Sequence, residues 1–242
     1  MIIGAASDAG LIRDSNQDAY FVSSDETFPL FIVADGMGGH KAGEVASSMA
    51  VDIVKEKFIR EKDRLNDEDL IISIIKESIE EANNKIYKRS LQDTKYYGMG
   101  TTVTLAYVLR DHVYIGHVGD SRAYFIDEDK IIQITEDHSL INELLKNGSI
   151  TKEEAKNHPQ RNMITRAVGT SHSIKMDIIN RKVKKNNILL ICSDGLSNLV
   201  SDNELIKWIK SEKDMNILCQ QLVLAAKDNG GFDNITVVTI KF

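Results

Sequence analysis

Residues 31–40 of this 242-residue chain read Phe31-Ile32-Val33-Ala34-Asp35-Gly36-Met37-Gly38-Gly39-His40. The apolar and β-branched residues at the start of this stretch predict a buried strand. We expect the strand to end at Asp35, because Gly36 gives the backbone the freedom to turn directly after it. A strand that ends in this way carries a carboxylate to the rim of a sheet.

Four further aspartates lie next to apolar, strand-like runs. Three of them have glycine neighbours and stand in the segments Gly119-Asp120-Ser121-Arg122, Ser193-Asp194-Gly195 and Gly230-Gly231-Phe232-Asp233-Asn234. The fourth is Asp18, which opens a strand after Asn16 and Gln17. One aspartate–glycine pair usually marks a plain turn, but repeated carboxylates at strand ends indicate a site for hard cations. Asp127 and Asp129 lack this setting and are interpreted as part of a turn.

The charge balance and the cysteine content limit the classes of function. The chain has 30 Lys and Arg residues against 36 Asp and Glu residues, a formal charge of −6. This balance argues against a nucleic-acid binder, and an anionic substrate would be repelled unless metal ions reversed the local charge. Cys192 and Cys219 lie in apolar patterns typical of buried thiols. Because no segment looks like a signal peptide or a membrane span, we expect a cytoplasmic protein without membrane insertion.

Hydrophobic periodicity predicts an α+β fold. Strands are predicted at 2–7, 19–22, 29–35, 101–109, 113–118, 122–126, 130–134, 174–183, 188–193 and 235–242, and helices at 43–58, 66–86, 139–146, 151–157, 201–209 and 215–228. The strands within 101–134 are expected to form an antiparallel meander, and 174–183 is expected to pair with 188–193. The pattern predicts a four-layer αββα sandwich, two antiparallel sheets flanked by helix pairs. We expect one domain over 1–242, with a small polar excursion, the flap, at about 140–170.

The predicted cation site offers oxygen ligands only. Such a set favours Mg²⁺ or Mn²⁺ over zinc, whose sites are rich in His and Cys. Mg²⁺ keeps several waters, so each ion needs few protein carboxylates. Two ions about 3.5–4 Å apart would share one carboxylate and activate a bridging water that cleaves a phosphoester. Asp35 is the candidate for the shared ligand, and the Gly36 carbonyl can face the same ion because no side chain blocks it.

Two other polar residues have both a chemical and a structural interpretation, and two histidines have a structural one only. Arg13 suits a phosphate monoester, because a guanidinium binds phosphate oxygens in pairs, and its alternative is a surface ion pair with Asp14. His40 either protonates the leaving alkoxide or caps the next helix or lies in solvent. His117 is interpreted as a satisfied core histidine and His138 as a structural residue near the rim of the site.

Eight short segments together resemble the metal-dependent (type 2C, or PPM) serine/threonine protein phosphatases, in particular their bacterial branch. In chain order they are Arg13-Asp14-Ser15-Asn16-Gln17-Asp18, Val33-Ala34-Asp35-Gly36-Met37-Gly38-Gly39-His40, Gly100-Thr101-Thr102, His117-Val118-Gly119-Asp120-Ser121-Arg122, Asp137-His138-Ser139, Ile164-Thr165-Arg166-Ala167-Val168-Gly169, Ser193-Asp194-Gly195-Leu196 and Asp233-Asn234-Ile235-Thr236. The resemblance implies a serine/threonine phosphoprotein phosphatase, a hydrolase in which a binuclear Mn²⁺ or Mg²⁺ centre activates a bridging water. No covalent intermediate is implied.

The resemblance also implies a role for each candidate residue. The implied ligands are Asp35, Asp194 and Asp233 for one ion, Asp35 and the Gly36 carbonyl for the second, and Asp120 with Asp194 for a third. Asp18 would orient metal-bound water, and Arg13 would bind the substrate phosphate. Gln17 departs from the pattern, since eukaryotic members usually carry Glu at that position.

The implied partners are phosphoprotein substrates, which the flap would contact, and a membrane serine/threonine kinase whose targets the enzyme would dephosphorylate. A monomer is expected. Two alternatives stay open: a phosphoesterase for nucleotides or small metabolites, and a catalytically silent binding module. The few aromatic residues show no cluster for a base, and the intact aspartates argue against a silent relative. A calcium-binding structural domain is the weakest alternative, because the carboxylates lack EF-hand spacing.

Overall fold

The computed structural model describes residues 1–23, 25, 27–38, 42–128, 130–156 and 158–242. His40 and Asp129 therefore lie outside the described residues. The strands form two antiparallel sheets. In the first sheet the order is β1 (Ile2–Asp8), β11 (Ile235–Lys241), β10 (Ile188–Cys192), β7 (Arg122–Asp127) and β8 (Lys130–Gln133). In the second it is β2 (Asp18–Val22), β3 (Leu30–Met37), β5 (Val103–Leu109), β6 (His112–Val118) and β9 (Asp177–Lys182), with β4 (Gly100–Thr101) paired to β3.

The helices lie mostly where the periodicity predicts them. They are α1 (Ala42–Arg60), α2 (Glu68–Gln92), α3 (Leu140–Lys146), α4 (Lys152–Lys156), α5 (Asp194–Ser197), α6 (Asp202–Ser211) and α7 (Met215–Asp228), with 3₁₀ turns at Lys62–Arg64 and Thr94–Tyr96. Asp67 caps α2 by accepting hydrogen bonds from the amides of the first turn. Thr151 and Glu154 form a reciprocal capping box at α4. Among the described residues, no helix is long and apolar enough to cross a membrane.

Three apolar clusters define four layers. Side chains such as Phe31 and Ile115 from the second sheet meet Leu189 and Val238 from the first in a buried layer between the sheets. A second cluster joins the outer face of the second sheet to α1 and α2, and a third joins the outer face of the first sheet to α6 and α7. The predicted αββα sandwich is confirmed, because each sheet buries both of its faces.

Two predicted strand pairings are wrong, and both errors have one cause. Strands β6 and β7 do not continue a meander, since the chain crosses from the second sheet to the first at Gly119, whose φ is +111°. Strands β9 and β10 do not pair either; β9 pairs with β6, and β10 pairs with β7 and β11. Strands covered on both faces carry no polar face. Their sequence therefore does not show which sheet they join.

Element ends also differ from the prediction near the predicted site. Strand β3 continues past Asp35 to Met37, because Gly36 and Met37 pair with β4 instead of β5. Strand β9 begins at Asp177, three residues later than predicted. The short helix α5, which starts at Asp194, was not predicted. Its four residues are too few to show helical periodicity.

Candidate metal centre

Asp18 and Asp35 face each other across the β2–β3 pair, where they are direct register partners. Asp18 is the first residue of β2 and Asp35 lies near the end of β3, so both stand at the same end of this antiparallel pair. Asp18 accepts a 2.8 Å hydrogen bond from the Ser193 hydroxyl of the opposite sheet, through its Oδ2 atom. Its second oxygen, Oδ1, is buried and has no hydrogen-bond partner among the described residues. An orphaned carboxylate oxygen of this kind is expected to have a partner that the protein itself does not provide.

The backbone of Asp35 is fixed by two threonines. Its amide donates to Thr102 Oγ1 at 2.9 Å, and its carbonyl accepts from the Thr102 amide and the Thr101 hydroxyl, both at 2.9 Å. The Thr102 hydroxyl also lies 2.7 Å from Ser121 Oγ, next to Asp120. One buried hydroxyl pair therefore connects the segments that carry Asp35 and Asp120. Sequence reasoning assigned no role to Thr102, although it ends the Gly100-Thr101-Thr102 segment.

Gly36 must be glycine because two carbonyls pack against it. A Cβ atom at this position would lie 2.1 Å from the Gly43 carbonyl oxygen and 2.5 Å from the Gln17 carbonyl oxygen. The Gly36 amide donates to that same Gln17 carbonyl at 3.1 Å. The close approach of β2, β3 and the start of α1 therefore fixes the direction of the Gly36 peptide.

Asp120 is placed by the crossover between the sheets. His138 holds Gly119 on both sides, since its amide donates to the Gly119 carbonyl at 2.8 Å and its Nδ1 accepts from the Gly119 amide at 3.1 Å. A Cβ on Gly119 would lie 2.5 Å from Thr102 Cγ2. The positive φ and the tight packing together require glycine here.

Asp194, the first residue of α5, and Asp233, in the loop before β11, lie on segments that touch each other at the end of the first sheet. A Cβ on Gly195, directly after Asp194, would lie 2.0 Å from the Asn234 carbonyl oxygen. Asn234 also accepts from the Gln17 amide at 2.8 Å and donates to the Ser15 carbonyl at 2.9 Å. The loop that precedes β2 is thus fixed to the loop that carries Asp233.

Arg13 lies at the mouth of the cluster, where its guanidinium donates to Asp233 Oδ2 at 2.8 Å. The side chain of Arg13 is 53% exposed and that of Asp233 is 37% exposed, so the pair is accessible to solvent. The alternative interpretation, a local pair with Asp14, is not the pair that the structure contains. Asp233 is 220 residues away in sequence, so no local pattern predicts this contact.

The carboxylates destabilise one another. Burial raises the pKa of Asp35 well above its usual value, and the charges of Asp18, Asp194, Asp120 and Asp233 raise it further. Burial, opposed in part by hydrogen bonds, raises the pKa of Asp18 to about 7, and burial with the charge of Asp194 raises that of Asp120 to about 7. Burial and the charge of Asp233 raise the pKa of Asp194. Such a cluster is expected to hold cations or protons.

The donor set fits Mg²⁺ or Mn²⁺. All the converging side chains offer oxygen, and an orphaned buried oxygen stands among them. In the part of the chain that the structure describes, no three or more His, Cys, Asp or Glu side chains are arranged to hold an ion by themselves. Ions that keep several waters need only a few protein oxygens each. The open arrangement suits them better than it suits zinc.

The cluster opens into a cavity of about 260 Å³. Six of the seven predicted site residues line it: Arg13, Asp35, Gly36, Asp120, Asp194 and Asp233. Asp18 lies behind them, next to Ser193. Asn162 and Ile164, from the flap, also line the cavity and were not predicted as site residues. In the sequence neither residue adjoins a predicted strand, so the pattern that identified the aspartates, a carboxylate next to an apolar run, could not identify them.

Two histidines and one cysteine near the site, His117, His138 and Cys192, are structural. His117 is buried, lies 2.9 Å from Thr104 Oγ1 and 3.1 Å from the Glu136 carbonyl, and burial lowers its pKa to about 3. It is the satisfied core histidine that was predicted. His138 is buried as well, next to Asp177 and Arg166. Burial raises the pKa of the Cys192 thiol to about 12, which excludes it as a nucleophile at neutral pH.

The site combines a cluster of carboxylates with an arginine at its mouth, and it lies between the two sheets of an αββα sandwich. This arrangement is expected of a hydrolase that acts on phosphate esters. The comparison with protein families agrees: the model for Protein phosphatase 2C matches residues 13–237. The chain belongs to the protein phosphatase 2C family, whose members are serine/threonine protein phosphatases.

Individual relatives are similar over nearly their whole length. The serine/threonine phosphatase stp of Listeria innocua is 39% identical over 236 residues, which is 97% of this chain and 93% of that protein. The crystal structure of the serine/threonine phosphatase Stp1 from Staphylococcus aureus is 38% identical, with a TM-score of 0.93 over 100% of this chain and 95% of that one. The catalytic domain of the phosphatase PstP, solved with two manganese ions, is 31% identical, with a TM-score of 0.85 over 98% of this chain and 96% of that one.

Proposed function

We propose that the chain hydrolyses phosphoserine and phosphothreonine esters in proteins at a binuclear Mn²⁺ or Mg²⁺ centre between its two sheets. The observation that carries this proposal is the convergence of mutually repelling carboxylates around Asp35, beside an accessible arginine. The two manganese ions in the structural relative PstP support the choice of metal. The family membership supports the choice of reaction.

The proposal assigns the oxygen ligands as follows: Asp35, Asp194 and Asp233 for one ion, Asp35 and the Gly36 carbonyl for the second, and Asp120 with Asp194 for a third. Asp35 is proposed as the shared ligand because it lies near every other carboxylate of the cluster, whose charges together raise its pKa. The tight packing of Gly36 supports the use of its carbonyl. Asp18 is proposed to orient a water molecule with its orphaned Oδ1 atom, since Ser193 already holds Oδ2.

When bound, the ions activate water and neutralise the charge that develops on the phosphoryl oxygens. Arg13 binds the phosphate of the substrate. In the structure its guanidinium pairs with Asp233, so an incoming phosphate exchanges one anionic partner for another at little cost in desolvation, because the site is exposed. Asp18 holds the attacking water toward phosphorus, and direct transfer to water needs no nucleophilic side chain. His40, the candidate acid for the leaving alkoxide, lies outside the described residues.

The remaining parts of the proposal concern organisation and partners. The chain acts as one domain over 1–242, and the flap at 140–170 contacts phosphoprotein substrates, supported by Asn162 and Ile164 at the cavity wall. A membrane serine/threonine kinase supplies those substrates. A cytoplasmic enzyme without nucleic-acid partners fits the acidic balance and the two free, buried cysteines. The enzyme is proposed to act as a monomer.

The proposed reaction is tested by phosphate release from a phosphothreonine peptide, measured with Mn²⁺, with Mg²⁺ and with EDTA, beside a nucleotide monophosphate. We expect hydrolysis of the peptide that requires Mn²⁺ or Mg²⁺ and stops in EDTA. Turnover of the nucleotide alone would move the assignment to a small-molecule phosphoesterase. Metal binding without turnover of either compound would favour a binding module.

Replacing Arg13 with alanine is expected to raise KM for the phosphopeptide about tenfold and to change kcat less. Arg13 contacts the phosphate in the ground state and in the transition state alike, and a loss of uniform binding appears in KM. Steady-state kinetics at saturating Mn²⁺ measure both constants. Arg60→Ala is the matched control, because Arg60 is similarly exposed (55%) and pairs with one carboxylate, Glu81, outside the site. An unchanged KM in Arg13→Ala would remove Arg13 from the phosphate site.

A further inference from the structure

A second concave surface continues from the carboxylate cavity toward the flap. This groove has a volume of about 630 Å³. Four residues line both the cavity and the groove: Asp120, Asn162, Asp194 and Asp233. The two spaces are therefore continuous. A peptide whose phosphate lies in the cavity has to leave along the surface, and the groove is one path that begins at the reacting atoms.

Four of the residues that line the groove are apolar, and together they are called the apolar wall: Phe232, Leu199, Ile141 and Ala155. Phe232 is 61% exposed and directly precedes Asp233 in the chain. Its ring lies close to Gly230, since a Cβ there would lie 2.4–2.9 Å from three ring atoms. The groove thus presents an accessible aromatic ring next to Asp233.

The guanidinium of Arg122, which lines the groove, is not available to bind an anion. Its Nε and one terminal nitrogen donate to Asp137 at 2.6–3.1 Å, and the other terminal nitrogen donates to the Tyr124 hydroxyl at 3.0 Å. Asp137 neutralises the guanidinium at close range. Arg122 therefore does not offer a second phosphate site in this groove, and the exposed ring of Phe232 is the feature next to Asp233 that a substrate side chain can contact.

We propose that the wall around Phe232 binds an apolar side chain near the phosphorylated residue of the substrate, and so sets sequence preference. This inference rests on the proposed phosphoprotein phosphatase function. The Cα atoms of Phe232 and Asp233 are about 3.8 Å apart, and an extended peptide advances about 3.3–3.6 Å per residue. A side chain within about three residues of the phosphorylated one reaches the wall. Burial of leucine-sized surface against Phe232 is worth about five- to tenfold in affinity when the pocket covers part of it.

The test uses phosphothreonine peptides that differ at one position, leucine or serine, scanned over three positions on each side of the phosphothreonine. For the wild-type protein with Mn²⁺ we expect kcat/KM to favour leucine about five- to tenfold at one or two positions, mainly through KM. In Phe232→Ala this preference is expected to fall below about twofold, and Phe232→Leu should keep most of it. Leu224→Ala is the control, because Leu224 on α7 is similarly exposed (57%) and does not line the groove.

The ratio of kcat/KM for the leucine peptide to that for the serine peptide separates two roles of Phe232. One is binding of the substrate side chain, and the other is positioning of the neighbouring Asp233. If Phe232→Ala slows both peptides by the same factor, Phe232 acts on Asp233 and the inference is wrong. If the wild-type protein turned over all the peptides equally, the inference about Phe232 would also be wrong, but the proposed phosphatase function would stand. If the wild-type protein hydrolyses a simple aryl phosphate but none of the peptides, the proposed function fails and the inference fails with it.

Discussion

Asp35→Asn is expected to lower phosphopeptide hydrolysis by about a thousandfold or more and to weaken Mn²⁺ binding, while the protein stays folded. Asp35 is the proposed shared ligand, and the amide of asparagine has the same shape but provides no charge for two cations. The backbone contacts with Thr101 and Thr102 do not involve the side chain, so they are retained. Without metal, the variant should be at least as stable as the wild type, because the substitution removes one member of a repelling cluster.

Three measurements check this prediction: turnover at saturating Mn²⁺, Mn²⁺ binding by calorimetry, and thermal unfolding in EDTA. Asp52→Asn is the matched control, since the Asp52 side chain is 62% exposed on α1 and pairs with Lys55. The control should bind Mn²⁺ and turn over substrate like the wild type. Wild-type activity in Asp35→Asn would contradict the metal assignment. Loss of the folded state in EDTA would contradict the claim that Asp35 serves the site and not the fold.

The metal-free protein is expected to lose about 2 kcal/mol of unfolding free energy between about pH 6.5 and pH 8. The pKa values of Asp18 and Asp120 are about 7 in the folded protein, whereas an unfolded aspartate titrates near pH 4. The folded state therefore binds more protons than the unfolded state in this range, and stability falls as these protons leave. The raised pKa of Asp35 adds to the loss.

One buried group acts in the opposite direction at lower pH. Burial lowers the pKa of His117 to about 3, so its contribution to stability increases with pH until an unfolded histidine has lost its proton, near pH 6.5. Below that pH the two carboxylates outweigh this single histidine, and above it only the carboxylates still change the stability. Chemical denaturation at a series of pH values measures the effect in EDTA and in saturating Mn²⁺, which should abolish the decline because cations hold the carboxylates ionised. Asp18→Asn should remove about half of the decline, and a flat profile in EDTA would contradict the pKa shifts.

The sequence was most informative where an aspartate stands at the end of a predicted strand. The rule that an aspartate stands beside an apolar run found five carboxylates, and the structure places all five around one site. Long helices such as α1 and α2 were predictable for a related reason, because their periodic apolar faces specify what they pack against. Both inferences use only local pattern and elementary preference.

The parts that were not predictable depend on contacts between distant residues. The apolar runs of β6 and β10 are consistent with either sheet, so the crossover at Gly119 could not be placed. The pairing of Arg13 with Asp233 joins the two ends of the chain. The hydroxyl contact between Thr102 and Ser121 joins the segment before β5 to the segment before β7. The role of Asn162 at the cavity wall follows from the path of the flap. A local pattern contains none of this information.

The proposed ligands are divided between the two sheets, so ions bound by them would link one sheet to the other. Asp35 and Gly36 belong to the second sheet, whereas Asp194 and Asp233 follow or precede strands of the first. Ions that bind only when the sheets are stacked correctly stabilise the folded state in proportion to their free concentration. The packing of Phe31 against Val238 in the layer between the sheets then becomes a determinant of metal affinity. Conversely, a lower manganese concentration would lower the free energy of unfolding of the sandwich. The lifetime of the folded protein, and not only its turnover rate, would then depend on the metal supply.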